Sequence, residues 1–139
     1  MRVFVDTNIF LDYYFDRKDS IKPLGEFAFN FFRDALKCKF SILLCNPVIR
    51  ELEKTVGLEK IGVFKSHMSA LKLAGKLEII EETTWQVSEA QNLNRRRGLP
   101  LNDCIIAVMA RDQGVSIVTR DMHFWEFGFI TALTPEELL

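Results

Sequence analysis

The chain has 139 residues, of which 48% are hydrophobic and 27% charged, with a formal net charge of −1. This suits one folded domain with a full core, excludes an intrinsically disordered chain, and leaves no apolar stretch near the ~20 residues of a membrane span. Near-neutrality gives no global electrostatic sign of nucleic-acid binding, and Cys38, Cys45 and Cys104, without C-x-x-C spacing, read as buried thiols of a reducing cytoplasm rather than disulfides or a zinc site.

The chain opens with Met1-Arg2-Val3-Phe4-Val5-Asp6, where charge arrives too early for a secretory signal. Arg2 to Val5 predicts a strand, and Asp6-Thr7-Asn8 a turn that caps a short helix from Ile9 to Tyr14. Pro23 fits the first turn of a helix reaching about Lys37, with Leu24, Phe27 and Phe31 on one face. Ile42 to Cys45 is a second strand. Asn46-Pro47 then caps a helix to about Val56 that carries Glu51 one turn in. Leu58 to Ala74 is a further helix and Leu77 to Ile80 a short strand. Thr84 to about Arg97 is helical, stopped by Gly98 and Pro100. Asn102 is the expected cap of a very apolar helix from Asp103 to about Asp112, with Gly114 as its stop. Val115 to Val118 is a fourth strand and Phe129 to Leu133 an edge strand. A last helical turn covers Pro135 to Leu138.

Strands alternating with helices predict an α/β domain with a mostly parallel sheet covered on both faces and right-handed crossovers. In such a sheet, groups just past the carboxyl ends of strands converge on one crevice. Asp6, Glu51, Asp103 and Asp121 all occupy such places: Asp6 and Asp121 after strands, Glu51 and Asp103 in first turns of helices. Two carboxylates 4 Å apart in partly buried surroundings repel by about 4 kcal/mol. Protons or hard divalent cations with oxygen ligands, Mg²⁺ or Mn²⁺, would neutralise them. A cation there makes water a better nucleophile at neutral pH and steadies a phosphoryl transition state. Asn8 and Thr119 stand beside Asp6 and Asp121 as neutral groups able to orient a carboxylate, a water or a phosphate.

Val5-Asp6-Thr7-Asn8-Ile9, Glu51 after the second strand, Leu101-Asn102-Asp103-Cys104-Ile105-Ile106-Ala107 and Ile117-Val118-Thr119-Arg120-Asp121-Met122-His123-Phe124 together resemble the PIN-domain family over essentially the whole chain. The resemblance implies a single domain over residues 1–139, built as a three-layer α/β/α sandwich around a four- to five-stranded sheet. It also implies a Mg²⁺- or Mn²⁺-dependent ribonuclease in which Asp6, Glu51, Asp103 and Asp121 are the metal-site acids. Thr119 and Asn8 match the residues that accompany the last and first of these acids. Compact PIN proteins are most often similar to VapC-type toxins, which implies a cytoplasmic protein with a small antitoxin partner. A homodimer is a further expectation, and the phenylalanine-rich stretch Phe27 to Phe32 would serve either contact wherever it exceeds the core.

Each residue also has a plainer reading. Asp6 could cap a helix, Asp103 could favour a helix dipole, Asp121 could sit in a turn, and Glu51 alone reads as a surface acid. Glu53 rivals Glu51 from a different helix face. Asp12, Asp16, Asp19, Asp34 and Asp112 read as solvated, and His67 and His123 as isolated histidines without a partner pattern. Arg95, Arg96 and Arg97 form a basic cluster able to contact phosphates, or to be solvated at a helix end. Tyr13 and Tyr14 would stack on an unpaired base or pack on the next helix, and single-stranded or looped RNA suits an open crevice better than duplex. Two other functions compete. A phosphohydrolase would use Asp6 as covalent nucleophile, but Asn8 stands where its general acid belongs. A non-catalytic binding module has no need of clustered acids. A nicotinamide-binding domain is excluded, because no G-x-G-x-x-G follows the first strand.

Overall fold

In the computed structural model, which describes residues 1–139, β1 (Arg2–Val5) forms the middle of the sheet. Its Val3, Phe4 and Val5 are all buried, as expected of a strand covered on both faces. β2 (Ser41–Cys45) and β3 (Leu77–Ile80) lie to one side; β4 (Ser116–Val118) and β5 (Ala132–Leu133) lie to the other. The order is β3-β2-β1-β4-β5 and every pairing is parallel.

The helices are α1 (Thr7–Phe15), α2 (Leu24–Leu36), α3 (Asn46–Leu73), α4 (Thr84–Arg97) and α5 (Leu101–Gln113). Right-handed crossovers place α1 to α3 on one face and α4 and α5 on the other. The packing agrees: α1 rests on α2 and α3, and α4 on α5. Cys104 to Ala110 of α5 are all buried, which is why its sequence is apolar on every side. α3 is broken at Gly57, whose φ of 70° and ψ of 179° are not helical, so the two expected helices meet there. Glycine tolerates that φ without a Cβ clash. No helix is long and apolar enough to cross a membrane.

Several local expectations are corrected. α5 begins two residues early, capped by Pro100, whose carbonyl accepts the Cys104 N–H at 3.0 Å, so Asn102 lies inside the helix. The edge strand is only Ala132–Leu133, because β4 offers it a short ladder. Cys38 is exposed in the turn after α2, while Cys45 and Cys104 are buried. Asp12 and Asp34 are buried rather than solvated, because a cation reaches each of them, from far along the chain for Asp12 and from five residues on for Asp34. Asp12 accepts the Arg120 Nε–H at 3.0 Å, and Asp34 accepts Lys39 Nζ at 3.1 Å.

Phe31 and Phe32 are core, with Phe31 stacked on Phe40 at 4.6 Å and Phe32 tilted against Phe10 at 4.9 Å between ring centroids, whereas Phe29 is half exposed. Tyr13 and Tyr14 pack inward rather than toward the crevice. The Tyr14 hydroxyl bonds His67 Nδ1 at 2.9 Å, and Tyr13 meets the same imidazole edge-on at 4.9 Å. His67 is therefore a half-buried structural histidine, lowered to about 4 by burial and so uncharged at neutral pH.

α2 starts by crossing the end of α1 at Gly25, whose N–H bonds the Arg17 carbonyl at 2.9 Å. A Cβ there would lie 2.7 Å from Asp16 Cα and 2.9 Å from the Asp12 carbonyl oxygen. Both are backbone atoms, so the helices must separate. Gly25→Ala is expected to destabilise the fold by about 1–3 kcal/mol in denaturant titration. A neutral or stabilising change would show that this crossing is loosely packed.

Candidate active site

The chain leaves β1 on its way to β2, and β4 enters on the opposite side, so the crevice opens past the carboxyl ends of β1 and β4. Asp6 stands at its floor. Its N–H bonds the Val118 carbonyl at 3.0 Å, continuing the ladder for one residue past β1. Its Oδ1 accepts the Thr7 N–H at 2.8 Å, capping α1. Its Oδ2 accepts the Thr119 hydroxyl at 2.8 Å and the Asn8 amide at 3.3 Å. Thr119 is fully buried, so this hydroxyl has a fixed direction. Asn8 is fixed in turn, because its Oδ1 accepts the Arg120 N–H at 3.3 Å. Arg120 ties the assembly together, reaching Asp12 on α1 and pairing bidentately with Glu136 at 2.8 and 2.7 Å.

Glu51 arrives from the first half of α3. Its Oε2 accepts the Thr7 hydroxyl at 3.1 Å. Its rival Glu53 lines a separate groove with Ile49, Lys65 and Met68. Asp103 arrives from the first turn of α5 and Asp121 from the loop after β4. Asp121 Oδ1 accepts the His123 N–H at 3.0 Å and so caps the 3₁₀ turn Met122–Glu126. Capping thus accounts for one oxygen of Asp6 and of Asp121, but not for the approach of the others.

His123 completes the group. Its Nδ1 lies 3.1 Å from Asp103 Oδ2 and 3.2 Å from Asp121 Oδ1. The three ligand atoms lie within 4.8 Å of one another. Sequence reasoning treated this histidine as isolated, and it missed Thr7. The only local signal for His123 was its place two residues after a turn-capping aspartate.

Asp103, Asp121 and His123 form one close set; Asp6 and Glu51 stand outside it, with Asp103 and Glu51 both near enough to act on Asp6 by charge. Burial raises Asp6 from 3.8 to about 7, and the charges of Asp103 and Glu51 add to that rise against the opposing Thr119 hydrogen bond. Burial likewise raises Asp103 to about 6, with Asp121 and Glu51 adding and the His123 hydrogen bond opposing. Asp103 is therefore the acid that both halves of the crevice feel. Its hydrogen bond is also the main cause that raises His123, ahead of the Asp121 charge. Carboxylates whose charge is resisted in this way, with an imidazole beside them, are a donor set that fits a divalent cation.

The basic cluster divides. Arg97 bonds the Phe127 carbonyl at 3.2 Å and also the Glu126 carbonyl, and it lies over the Phe127 ring. Its charge therefore buttresses the 3₁₀ turn. Arg95 bonds Asn92 on its own helix. Arg95 and Arg96 are both exposed on α4.

The PIN domain family model matches residues 3–130. The chain belongs to the PIN domain family. The PIN fold is also evident in solved structures. VapBC2 from Rickettsia felis, bound to a promoter DNA fragment, is similar with a TM-score of 0.65 and 22% identity, covering 96% of this chain and 98% of that one. FitAcB from Neisseria gonorrhoeae is similar with a TM-score of 0.64 and 18% identity, covering 98% and 99%. PAE2754 from Pyrobaculum aerophilum is similar with a TM-score of 0.62 and 17% identity, covering 99% and 92%. At these identities the likeness is one of fold. No curated protein matches this PIN domain in sequence.

Proposed function

We propose that this PIN domain is a divalent-metal-dependent ribonuclease that hydrolyses RNA phosphodiester bonds, with Asp6, Glu51, Asp103 and Asp121 holding Mg²⁺ or Mn²⁺. PIN domains are generally nucleases, which supports a hydrolase. The observation that carries the reading is the approach of Asp6, which Thr7 links to Glu51, to the close set of Asp103, Asp121 and His123, with burial and neighbouring acidic charge resisting the ionisation of Asp6 and Asp103. A bound divalent cation would lower the pKa of water and neutralise charge developing on the phosphoryl oxygens. The chain's own residues hold the geometry: Thr119 and Asn8 aim Asp6, and Thr7 holds Glu51 beside it. Asp6 is a poor covalent nucleophile, since both its oxygens accept hydrogen bonds and the residue is buried. That disfavours an aspartyl-phosphate route.

The test is cleavage of labelled single-stranded and looped RNA in Mg²⁺, in Mn²⁺ and in EDTA. Cleavage in metal and none in EDTA is expected. An external water as nucleophile leaves no 2′,3′-cyclic phosphate, so appearance of that end group would contradict the mechanism. A companion measurement needs no substrate. Mn²⁺ at ~100 times its dissociation constant should stabilise the fold by about 2.7 kcal/mol and raise the melting temperature. A protein with all four acids changed to carboxamides should show no gain.

The proposal extends to a cytoplasmic toxin with a small antitoxin. The similar structures include a VapBC2 complex and a toxin–antitoxin complex from Klebsiella pneumoniae. This chain exposes Leu36 and Val63 in a groove that Tyr13, Gly62 and Ala70 also line, with half-exposed Phe29 edge-on to Tyr13, an apolar face suited to a partner polypeptide. A homodimer is a second use of such a face, and light scattering on the purified chain separates monomer from dimer.

A further inference from the structure

We infer that His123 is a direct ligand of the cation through Nδ1, beside Asp103 and Asp121, and that this nitrogen biases the site toward Mn²⁺ over Mg²⁺. The inference rests on the metal-dependent reading above and adds a donor outside the acid set.

The first support is spacing. Adjacent ligands on an octahedral ion with bonds of ~2.1 Å lie √2 times that distance apart, about 3.0 Å. Nδ1 lies 3.1 Å from the Asp103 oxygen and 3.2 Å from the Asp121 oxygen. A hydrogen bond from a protonated Nδ1 shared by both carboxylates has the same spacing. The two nitrogen–oxygen spacings suit either a proton or a cation beside Nδ1. With the ring neutral and its proton on Nε2, the Nδ1 lone pair faces the carboxylates.

The second support is how the ring is delivered. The main-chain N–H of His123 is anchored on Asp121, and the next residue, Phe124, is fully buried. At the far end, the Arg97 guanidinium holds the carbonyls of Glu126 and Phe127. The 3₁₀ turn that presents the imidazole is thus fixed at both ends, as a ligand held in advance of its ion requires. His67 has no such access, since its Nδ1 bonds the Tyr14 hydroxyl among aromatic rings.

The consequence is chemical. Carboxylates and water suit Mg²⁺ and Mn²⁺ alike, whereas an imidazole nitrogen is a poor donor for Mg²⁺ and an acceptable one for Mn²⁺, a first-row transition ion. A nitrogen in the set should therefore separate Mn²⁺ from Mg²⁺ more than four carboxylates would.

The experiment is Mn²⁺ titration by calorimetry together with pulsed electron paramagnetic resonance of the Mn²⁺-loaded protein. It uses wild type, His123→Ala, His123→Asn, and wild type grown on isotopically labelled histidine. A nitrogen coupling to Mn²⁺ is expected in the wild type, changed by the histidine label and absent in both variants. Mn²⁺ affinity should fall by at least ~10-fold in His123→Ala, with a smaller loss for Mg²⁺. Wild type that binds Mn²⁺ without a histidine coupling would overturn the assignment and leave the metal-dependent reading standing. Wild type that binds no Mn²⁺ would overturn both. The labelled wild type keeps the test decisive even if a variant fails to fold.

Discussion

Asp103→Asn is expected to lower kcat/KM for RNA cleavage by about 10²–10⁴-fold, or ~3–5 kcal/mol of transition-state stabilisation, while the protein stays folded. The substitution keeps the shape of the side chain and removes only its charge. Asp103 is where that charge matters most, because Asp6 feels it directly and because Asp121 and Glu51 both act on it. The carboxamide oxygen can still accept a hydrogen bond from His123, so the 3₁₀ turn should hold its place. The fold should be slightly stabilised without metal, since one member of a repelling group has gone. Steady-state kinetics on an oligonucleotide and a thermal melt of the same sample make the measurement. Activity equal to wild type would remove Asp103 from the site. A matching loss of structure would mean that the kinetic result reports folding alone.

The second large effect concerns the pH dependence of folding in EDTA. Asp6 has a folded pKa of about 7 against an ordinary 3.8. Between those values the folded state holds a proton that the unfolded chain releases, so the contribution of Asp6 is full below about pH 4 and is lost as pH rises through 7. At 1.36 kcal/mol per unit the loss is on the order of 4 kcal/mol. His67 has the opposite sign. Burial lowers it from 6.5 to about 4, so its contribution is present above the unfolded value and is lost as pH falls toward 4. The two slopes oppose one another between about pH 4 and 6.5, and the wild-type curve alone is ambiguous. The informative quantity is the difference between Asp6→Asn and wild type, from urea denaturation at about pH 4 and about pH 8. Asp6→Asn should gain several kcal/mol relative to wild type over that interval. Saturating Mn²⁺ should stabilise wild type selectively at the higher pH, where the Asp6 carboxylate is ionised. A difference that does not change with pH would show that Asp6 is solvated and charged throughout.

Both predictions concern residues that the sequence itself displays. Asp6 follows three buried residues of β1, and Asp121 lies three residues past the end of β4. A short apolar run ending in an acid carries its meaning locally. Glu51 sits past the first turn of α3 and Asp103 in the first turn of α5, helices that their own flanking prolines announce. Gly57 likewise marks the break in α3, because a φ of 70° is open to glycine. The start of α5 was less legible. Asn102 is a good cap in isolation, but Pro100 already supplied the extended backbone and the carbonyl that begin the helix.

Other features depend on partners far away along the chain. Asp12 reads as a surface acid until Arg120, 108 residues later, is brought against it. Arg97 reads as part of a basic patch until its guanidinium closes on the carbonyls of Glu126 and Phe127. His123 has no partner within its own segment except Asp121, and its second carboxylate belongs to another helix 20 residues earlier.

The amino-acid sequence determined the parallel α/β class, the order of its elements and the places of Asp6 and Asp121 just past strands. Those follow from hydrophobic period, capping chemistry and chain direction, all of which act over a few residues. Only the tertiary structure decided that Thr7 links Glu51 to the Asp6 turn, that His123 joins Asp103 and Asp121, and that Arg97 and Arg120 tie separate segments together. Hydrogen bonds and desolvation depend on distances of a few ångströms between side chains, and those distances are fixed only when separate elements pack.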